Sequence, residues 1–182
     1  MNMKTRNMIL VGVFAALTAV GAFIKIPAPF IPFTLQFFFC AFAGLLLGSK
    51  LGMLSQILYV SIGLAGIPIF TQGGGLSYIF QPSFGYLLGL IPAAYIIGII
   101  AEKCKRITYV NLSVAVLAGL VVLYFIGVPY LYIIYKFYLN NPKSINWAVQ
   151  VGFLTFIGGD LVKTLIVVLL AKRIIPLLSS RQ

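Results

Sequence analysis

Six apolar runs, separated by short polar or glycine- and proline-containing segments, account for nearly all of this chain of 182 residues. They predict helices at about 7–24, 33–48, 51–70, 84–101, 110–135 and 148–171. With 62% hydrophobic and 8% charged residues, the sequence has more apolar surface than a water-soluble domain of this size can bury. We therefore expect an all-α integral membrane protein, a single transmembrane domain over 1–182 formed by a bundle of six transmembrane helices.

The basic residues predict how such a bundle is oriented. Six spans bring both termini to one side, and the positive-inside rule identifies the more basic side as cytoplasmic. Nine of the 13 basic residues flank the side of the termini, whereas three flank the other side and Lys163 lies within a span. The first group is Lys4, Arg6, Lys50, Lys103, Lys105, Arg106, Lys172, Arg173 and Arg181, and the second is Lys25, Lys136 and Lys143. Both termini are thus expected to be cytoplasmic in a multi-pass protein of the cell membrane.

The scarcity of acidic residues and of histidine argues against an enzyme. The chain has two acidic residues, Glu102 and Asp160, and no histidine, so general acid–base or metal-assisted chemistry has few groups to use. The net charge of +11 is spread over the ends of the apolar runs, where membrane lipid explains it better than nucleic acid does. We expect no catalytic residues, no metal, no cofactor and no nucleic-acid partner.

One pair of charges lies inside the last apolar run. Asp160 and Lys163 are three residues apart, which places both on one face of a helix. Each charge alone at that depth costs about 2.5–3.5 kcal/mol. The pair is either a structural ion pair that fastens helices together or the polar part of a ligand site within the membrane.

Further candidates lie near the same side of the bundle. Segment 71–83 contains three consecutive glycines, Gly73, Gly74 and Gly75, and is either a close-packing loop or a lid over a cavity. Gln36, after a proline-rich connector, has an amide that can reach a ligand, whereas Gln56 is interpreted as a helix-packing or interfacial residue. Tyr86 is either an interfacial aromatic residue or a ring that covers a ligand.

Small residues line one face of the first predicted helix. Gly12, Ala15, Ala16 and Ala19 allow another helix to approach closely. That helix belongs either to the chain itself or to a second subunit.

A pocket with one cation, one anion and mostly apolar walls suits a small, partly apolar acid that also has hydrogen-bond donors. In this arrangement, Lys163 meets the acid and Asp160 accepts from the donors.

Several segments, in order, resemble the BioY family, the biotin-binding S components of energy-coupling factor (ECF) vitamin transporters. The segments are 32–36 (PFTLQ), 66–70 (GIPIF) with 73–75 (GGG), 82–89 (PSFGYLLG), then Ala93, Ala94 and Gly98, and 159–163 (GDLVK). The resemblance covers roughly residues 12–172.

The resemblance implies a six-helix S component in the bacterial plasma membrane that captures biotin from outside the cell. It implies a vitamin site at Asp160, Lys163, Gln36, Gly73, Gly74, Gly75, Tyr86, Ser83 and Phe84. The small-residue face of the first helix would dock on a membrane-embedded coupling subunit, which is bound to a pair of cytoplasmic ATPases. ATP hydrolysis would then belong to those partners.

One departure from the family pattern affects the substrate. The family commonly has Pro-Thr-Gly-Gly-Tyr where this chain has Pro-Ser-Phe-Gly-Tyr at 82–86, so Phe84 adds a large ring near the expected pocket. A shifted pocket would suit another cyclic, sulfur-bearing acid such as lipoate. A structural membrane protein without a transported ligand is the remaining alternative.

Overall fold

The computed structural model describes residues 5–26, 31–104 and 106–179. The long helices are α1 (Thr5–Phe23), α2 (Gln36–Leu64), α3 (Phe84–Lys103), α4 (Tyr109–Ile133) and α6 (Thr155–Ser179), and α5 (Ile145–Val149) is short. A 3-10 helix covers Leu76–Phe80, and π-helical turns cover Ile134–Tyr138 and Gln150–Leu154. Strands β1 (Lys25–Ile26) and β2 (Phe33–Thr34) pair antiparallel. Lys4, Lys105 and Arg181 of the predicted charge asymmetry lie outside the described residues.

The described residues contain five helical segments long and apolar enough to cross a membrane, not the six that were predicted. These are Thr5–Phe23, Gln36–Leu64, Phe84–Lys103, Tyr109–Tyr138 and Ile145–Leu177. The difference arises because the second and third apolar runs form one element, α2. This element also ends at Leu64, before the predicted boundary at 70, since Gly66 has a positive φ of 108°.

α2 reverses direction at Gly48, which has φ 81° and ψ −179° within the helix. In a straight helix, Gln36 and Tyr59 would be about 35 Å apart at 1.5 Å per residue. Instead, the Gln36 Nε2 atom donates a hydrogen bond of 2.7 Å to the Tyr59 hydroxyl. A Cβ atom on Gly52 would lie 3.0 Å from the Ala43 carbonyl oxygen, so the two halves of α2 pack directly on each other. We call this element the α2 hairpin.

The α2 hairpin defines the two ends of the bundle. Gln36 and Tyr59 lie at the end that also carries the connector 31–35 and the loop 65–83, which we call the loop end. Gly48 lies at the other end, which we call the Gly48 end. There the Glu102 carboxylate, near the end of α3, accepts the backbone N–H and the hydroxyl of Ser49.

Packing in the bundle follows what a membrane requires. The largest fully buried side chains include Tyr59, Phe70 and Ile97. Large apolar side chains on the outer faces of α4 and α6, such as Phe125 and Leu165, remain exposed. An apolar exterior of this kind fits hydrocarbon rather than water as the surrounding solvent.

Candidate ligand-binding site

A cavity of about 70 Å³ lies at the loop end of the bundle. Its walls come from the connector 31–35, the start of α2, the loop 65–83 and helices α3, α4 and α6. Five of the predicted site residues line it: Gln36, Ser83, Tyr86, Asp160 and Lys163. The structure therefore brings together predicted residues from three distant parts of the sequence.

Asp160 and Lys163 form an ion pair that borders this cavity. Both are buried, with 5% and 7% of their surfaces exposed, and the Lys163 ammonium contacts the Asp160 Oδ1 atom. Lys163 also donates to the Thr34 carbonyl oxygen at 2.8 Å, and its Nζ atom lies 3.9 Å from the centre of the Phe33 ring. The connector thus holds the cation by a backbone acceptor and by a cation–π contact.

Tyr124 is a further site residue that the sequence analysis missed. Its hydroxyl donates to the Asp160 Oδ2 atom, while the Oδ1 atom is in ion-pair contact with Lys163. The ring lies edge-to-face against Tyr86, with centroids 6.2 Å apart, and against Phe153, at 4.9 Å. A hydroxyl in the middle of an apolar run was the available signal, but its partner lies 36 positions away in the sequence.

Tyr86 is held in place by the irregular backbone before α6. Its hydroxyl donates to the Gly152 carbonyl oxygen at 2.8 Å, inside the π-helical turn Gln150–Leu154. Such turns shift the backbone hydrogen-bond pattern and are frequent at functional sites. A Cβ atom on Gly127 would overlap the Tyr86 ring, so the ring fits closely against α4.

Gln36 belongs to a hydrogen-bonded chain at the start of the α2 hairpin. Its Oε1 atom accepts from the Thr34 hydroxyl at 2.9 Å, and its Nε2 atom donates to Tyr59, whose hydroxyl donates to the Ile69 carbonyl oxygen. One Nε2 hydrogen has no partner within the described part of the chain. The amide can therefore serve a ligand without giving up the hairpin contact.

The loop 65–83 covers the cavity with hydroxyl groups rather than with its glycines. The hydroxyls of Thr71 and Tyr78 are hydrogen-bonded at 2.8 Å, and that of Tyr78 lies 3.4 Å from the Ser83 hydroxyl. All three residues line the cavity. The backbone carbonyl of Thr71 accepts from Lys25, which ties the loop to β1.

The remaining predicted contacts lie behind this cover. Gly73 and Gly75 have φ values of 114° and 97°, and the Gly75 N–H donates to the Gly63 carbonyl oxygen at 2.8 Å. Phe84 is buried between Tyr78 and Tyr130, with ring centroids 6.4 and 6.0 Å away. The Gly73–Gly75 segment and Phe84 thus shape and support the loop but are not among the residues that line the cavity.

The small-residue face of α1 is divided between the interior and the surface. Ala15 is 4% exposed and belongs to the hydrophobic core. Gly12 has open space where a Cβ atom would be, Ala16 is exposed and Ala19 is half-buried. The part of this face that is open to another subunit therefore consists of Gly12 and Ala16, with Ala19 at its edge.

Gln56 packs inside the bundle, as the sequence analysis interpreted it. It is fully buried, and its Nε2 atom donates to the hydroxyls of Thr18 and Ser55. These contacts join α1 to the α2 hairpin.

Together, the apolar helices and the cavity between them define a multi-pass membrane protein with an internal, amphipathic cavity. The profile of the BioY family matches residues 1–180, and the chain belongs to that family. The resemblance predicted from the sequence is thereby confirmed.

Curated relatives and a solved structure agree with this assignment. A "Probable biotin transporter BioY" from Lysinibacillus sphaericus is 44% identical over 97% of this chain and 90% of its own length. The "Biotin transporter BioY" of Thermotoga maritima is 38% identical over 93% of this chain and 95% of its own. The fold matches the crystal structure of the S-component for biotin from an ECF-type ABC transporter, with a TM-score of 0.81, 27% identity and 94% coverage of both chains.

Proposed function

We propose that this chain is the S component that captures biotin outside the cell for ATP-driven uptake through an ECF transporter. The observation that carries the proposal is the cavity at the loop end, where a buried ion pair meets apolar and aromatic walls. The chain's family and the names of its relatives support biotin as the ligand.

The ligand pose follows from the hydrogen bonds that are already in use. The Lys163 ammonium contacts Asp160 and donates to the Thr34 carbonyl oxygen. Its remaining N–H would donate to the biotin carboxylate. The spare N–H of Gln36 supplies a second donor. Asp160 accepts from the ureido N–H groups through its remaining lone pairs. The alternative is the opposite pose, in which the two ends of the ligand are exchanged. Variants of Asp160 and Lys163 distinguish the two poses.

The bicyclic ring and the aliphatic chain of biotin would lie against the apolar walls. Tyr86, Leu87 and Phe156 line the cavity and provide that surface. At about 70 Å³, the cavity is smaller than the roughly 300–1,000 Å³ of most ligand pockets. Binding therefore requires an outward shift of the cover, formed by the loop 65–83 and the connector 31–35.

The orientation proposed for the bundle puts the loop end outside the cell and both termini in the cytoplasm. Among the described residues, Arg6, Lys50, Lys103, Arg106, Lys172 and Arg173 lie at or near the Gly48 end, whereas Lys25, Lys136 and Lys143 lie at or near the loop end. This asymmetry follows the positive-inside rule. The protein would reside in the bacterial plasma membrane.

The proposed partners are a membrane-embedded coupling subunit and a pair of cytoplasmic ATPases, which would hydrolyse ATP in place of this chain. The surface made by Gly12 and Ala16 on α1 is the expected contact with the coupling subunit, because small residues let helices approach closely in a bilayer.

Equilibrium binding of labelled biotin to the purified chain tests the proposal. Saturable binding that unlabelled biotin displaces, and that lipoate, thiamine and riboflavin do not, is the expected result. An absence of binding at micromolar biotin would reject the biotin assignment. Displacement of bound label by lipoate at equal concentration would instead favour a site shaped for another cyclic, sulfur-bearing acid, as the Phe84 departure allows.

A further inference from the structure

A second cavity, of about 410 Å³, lies at the Gly48 end of the bundle. Its walls come from the end of the first half of the α2 hairpin, the end of α3, the start of α4 and Ile175 of α6. It shares no lining residue with the site at the loop end. We call it the Gly48-end cavity.

The Gly48-end cavity is apolar inside and polar at its mouth. Leu45 and Leu112 are 7% and 4% exposed and form its inner wall. Glu102 and Arg106 also line it, but both are exposed to the surroundings. A site with this gradient fits an amphiphile whose apolar part points inward and whose polar head remains at the surface.

The cavity is open at its mouth, so its apolar inner wall stays uncovered unless another molecule fills it. Protein interiors are packed as densely as organic crystals, and their voids are few and small. Even an apolar cavity of roughly 150 Å³ excludes water and takes up apolar molecules. In a bilayer, the apolar group present at the highest concentration is the lipid acyl chain.

The mouth of the Gly48-end cavity has a positive charge. Arg106 lines it and is exposed, and Lys172 donates to the backbone carbonyl of Ile107, which also lines the cavity. Glu102 also lines the cavity and keeps its negative charge while it accepts the N–H and hydroxyl of Ser49, so Arg106 and Lys172 together exceed it by one positive charge. The charge that remains at the mouth favours an anionic head group.

We propose that the Gly48-end cavity binds an anionic phospholipid, with an acyl chain between Leu45 and Leu112 and the phosphate at Arg106. A bound lipid of this kind would fill the space between the hairpin, α3, α4 and α6. It would also keep the start of α4 against the end of the hairpin.

Native mass spectrometry of the purified full chain tests this proposal. The chain is exchanged into detergent with phosphatidylglycerol or phosphatidylcholine of the same acyl composition, and retained lipid is counted. One Lys or Arg contributes about fivefold to attraction of an anionic lipid surface. We expect phosphatidylglycerol to be retained preferentially, and Arg106→Gln to reduce this preference by about that factor.

A second variant tests the position of the acyl chain. Ala101→Phe places a ring into the cavity and should remove the retained lipid of either type. The matched controls are Lys143→Gln, a charge change near the loop end, and Ala118→Phe, a ring added elsewhere on α4. Both controls should retain phosphatidylglycerol as the unmodified chain does.

Equal retention of the two lipids by the unmodified chain would overturn the proposal, as would undiminished retention by Ala101→Phe. If no lipid is retained and Ala101→Phe instead weakens capture of the coupling subunit, the cavity receives a polypeptide and the proposal is wrong. If Ala101→Phe fails to fold, Arg106→Gln with its control decides the outcome alone.

Discussion

Tyr124 on α4 donates its hydroxyl hydrogen to the Asp160 Oδ2 atom on α6, while Lys163 contacts the other carboxylate oxygen of Asp160. The acidic residue of the site is therefore held from two directions. A free carboxylate could rotate toward Lys163 alone, but this arrangement fixes the plane in which it accepts from a ligand.

Tyr124→Phe tests this contact because it removes the hydroxyl and keeps the ring. A hydrogen bond to a charged group contributes about 1.5–3 kcal/mol, so we expect biotin affinity to fall by roughly 10- to 100-fold. Isothermal titration of the purified chain measures the change. Tyr95→Phe, on α3 and away from the cavity, is the control and should bind normally. Unchanged affinity in Tyr124→Phe would show that the hydroxyl does not orient Asp160 for the ligand.

The ion pair itself separates the transporter proposal from a structural role. Asp160→Asn leaves the Lys163 charge buried and unpaired, and should destabilise the fold by about 3–5 kcal/mol. The double variant Asp160→Asn with Lys163→Met removes both charges and should recover most of that stability. Thermal unfolding with and without biotin measures both quantities.

We expect the double variant to be folded and to gain no thermal stability from biotin. If biotin stabilises the double variant as much as the unmodified chain, the pair fastens helices together and does not bind the ligand.

Analogues of biotin distinguish the two poses at the ion pair. If the carboxylate meets Lys163, then Lys163→Met should weaken biotin strongly but should hardly change the binding of biotin amide, which has no charge to lose. Asp160→Asn should weaken both ligands. Equal weakening of biotin and biotin amide by Lys163→Met would instead place the ureido ring at Lys163.

The turn of the α2 hairpin depends on glycine at position 48. Its φ of 81° lies in the left-handed region, and an added Cβ atom would overlap the Glu102 carboxylate. Gly48→Ala should therefore destabilise the chain by at least about 1–2 kcal/mol. Urea or thermal unfolding measures the loss. Gly12→Ala, in open space on α1, is the control and should leave stability unchanged or slightly higher. Equal stability of both variants would contradict the strain at Gly48.

The proposed docking face of α1 makes a prediction about assembly. Ala16→Leu adds bulk on the exposed part of that face and should reduce co-purification of the coupling subunit without lowering biotin affinity. Val121→Leu, at an exposed position on α4, serves as the control. Normal assembly of Ala16→Leu would exclude this face as the contact.

The sequence was sufficient to find the polar residues of the site but not all of their contacts. Asp160 and Lys163 stood out because charges are rare and costly in apolar runs, and the structure places both at the cavity with Gln36, Ser83 and Tyr86. Tyr124 did not stand out, because one tyrosine among ten gives no indication of a partner on another helix.

The positions of the apolar runs were predicted largely correctly, and the connections between them less accurately. α3 begins at Phe84 as expected, since Pro82 and Ser83 end the preceding loop. The second and third predicted helices are the two halves of the α2 hairpin, which form one element that reverses at the non-helical Gly48. The glycines at 73–75 were expected at the ligand, whereas the positive φ values of Gly73 and Gly75 shape the loop around Gly63.

The α2 hairpin also limits where the bundle can open to admit a ligand. The Gln36–Tyr59 hydrogen bond connects its two halves at one end and Gly48 joins them at the other. We therefore expect the two halves to move together. Any widening that admits biotin would then come from the cover on either side of the hairpin, the connector 31–35 and the loop 65–83. Spectroscopic labels on the two halves of the α2 hairpin should keep a constant separation when biotin is added, while labels on the cover should move.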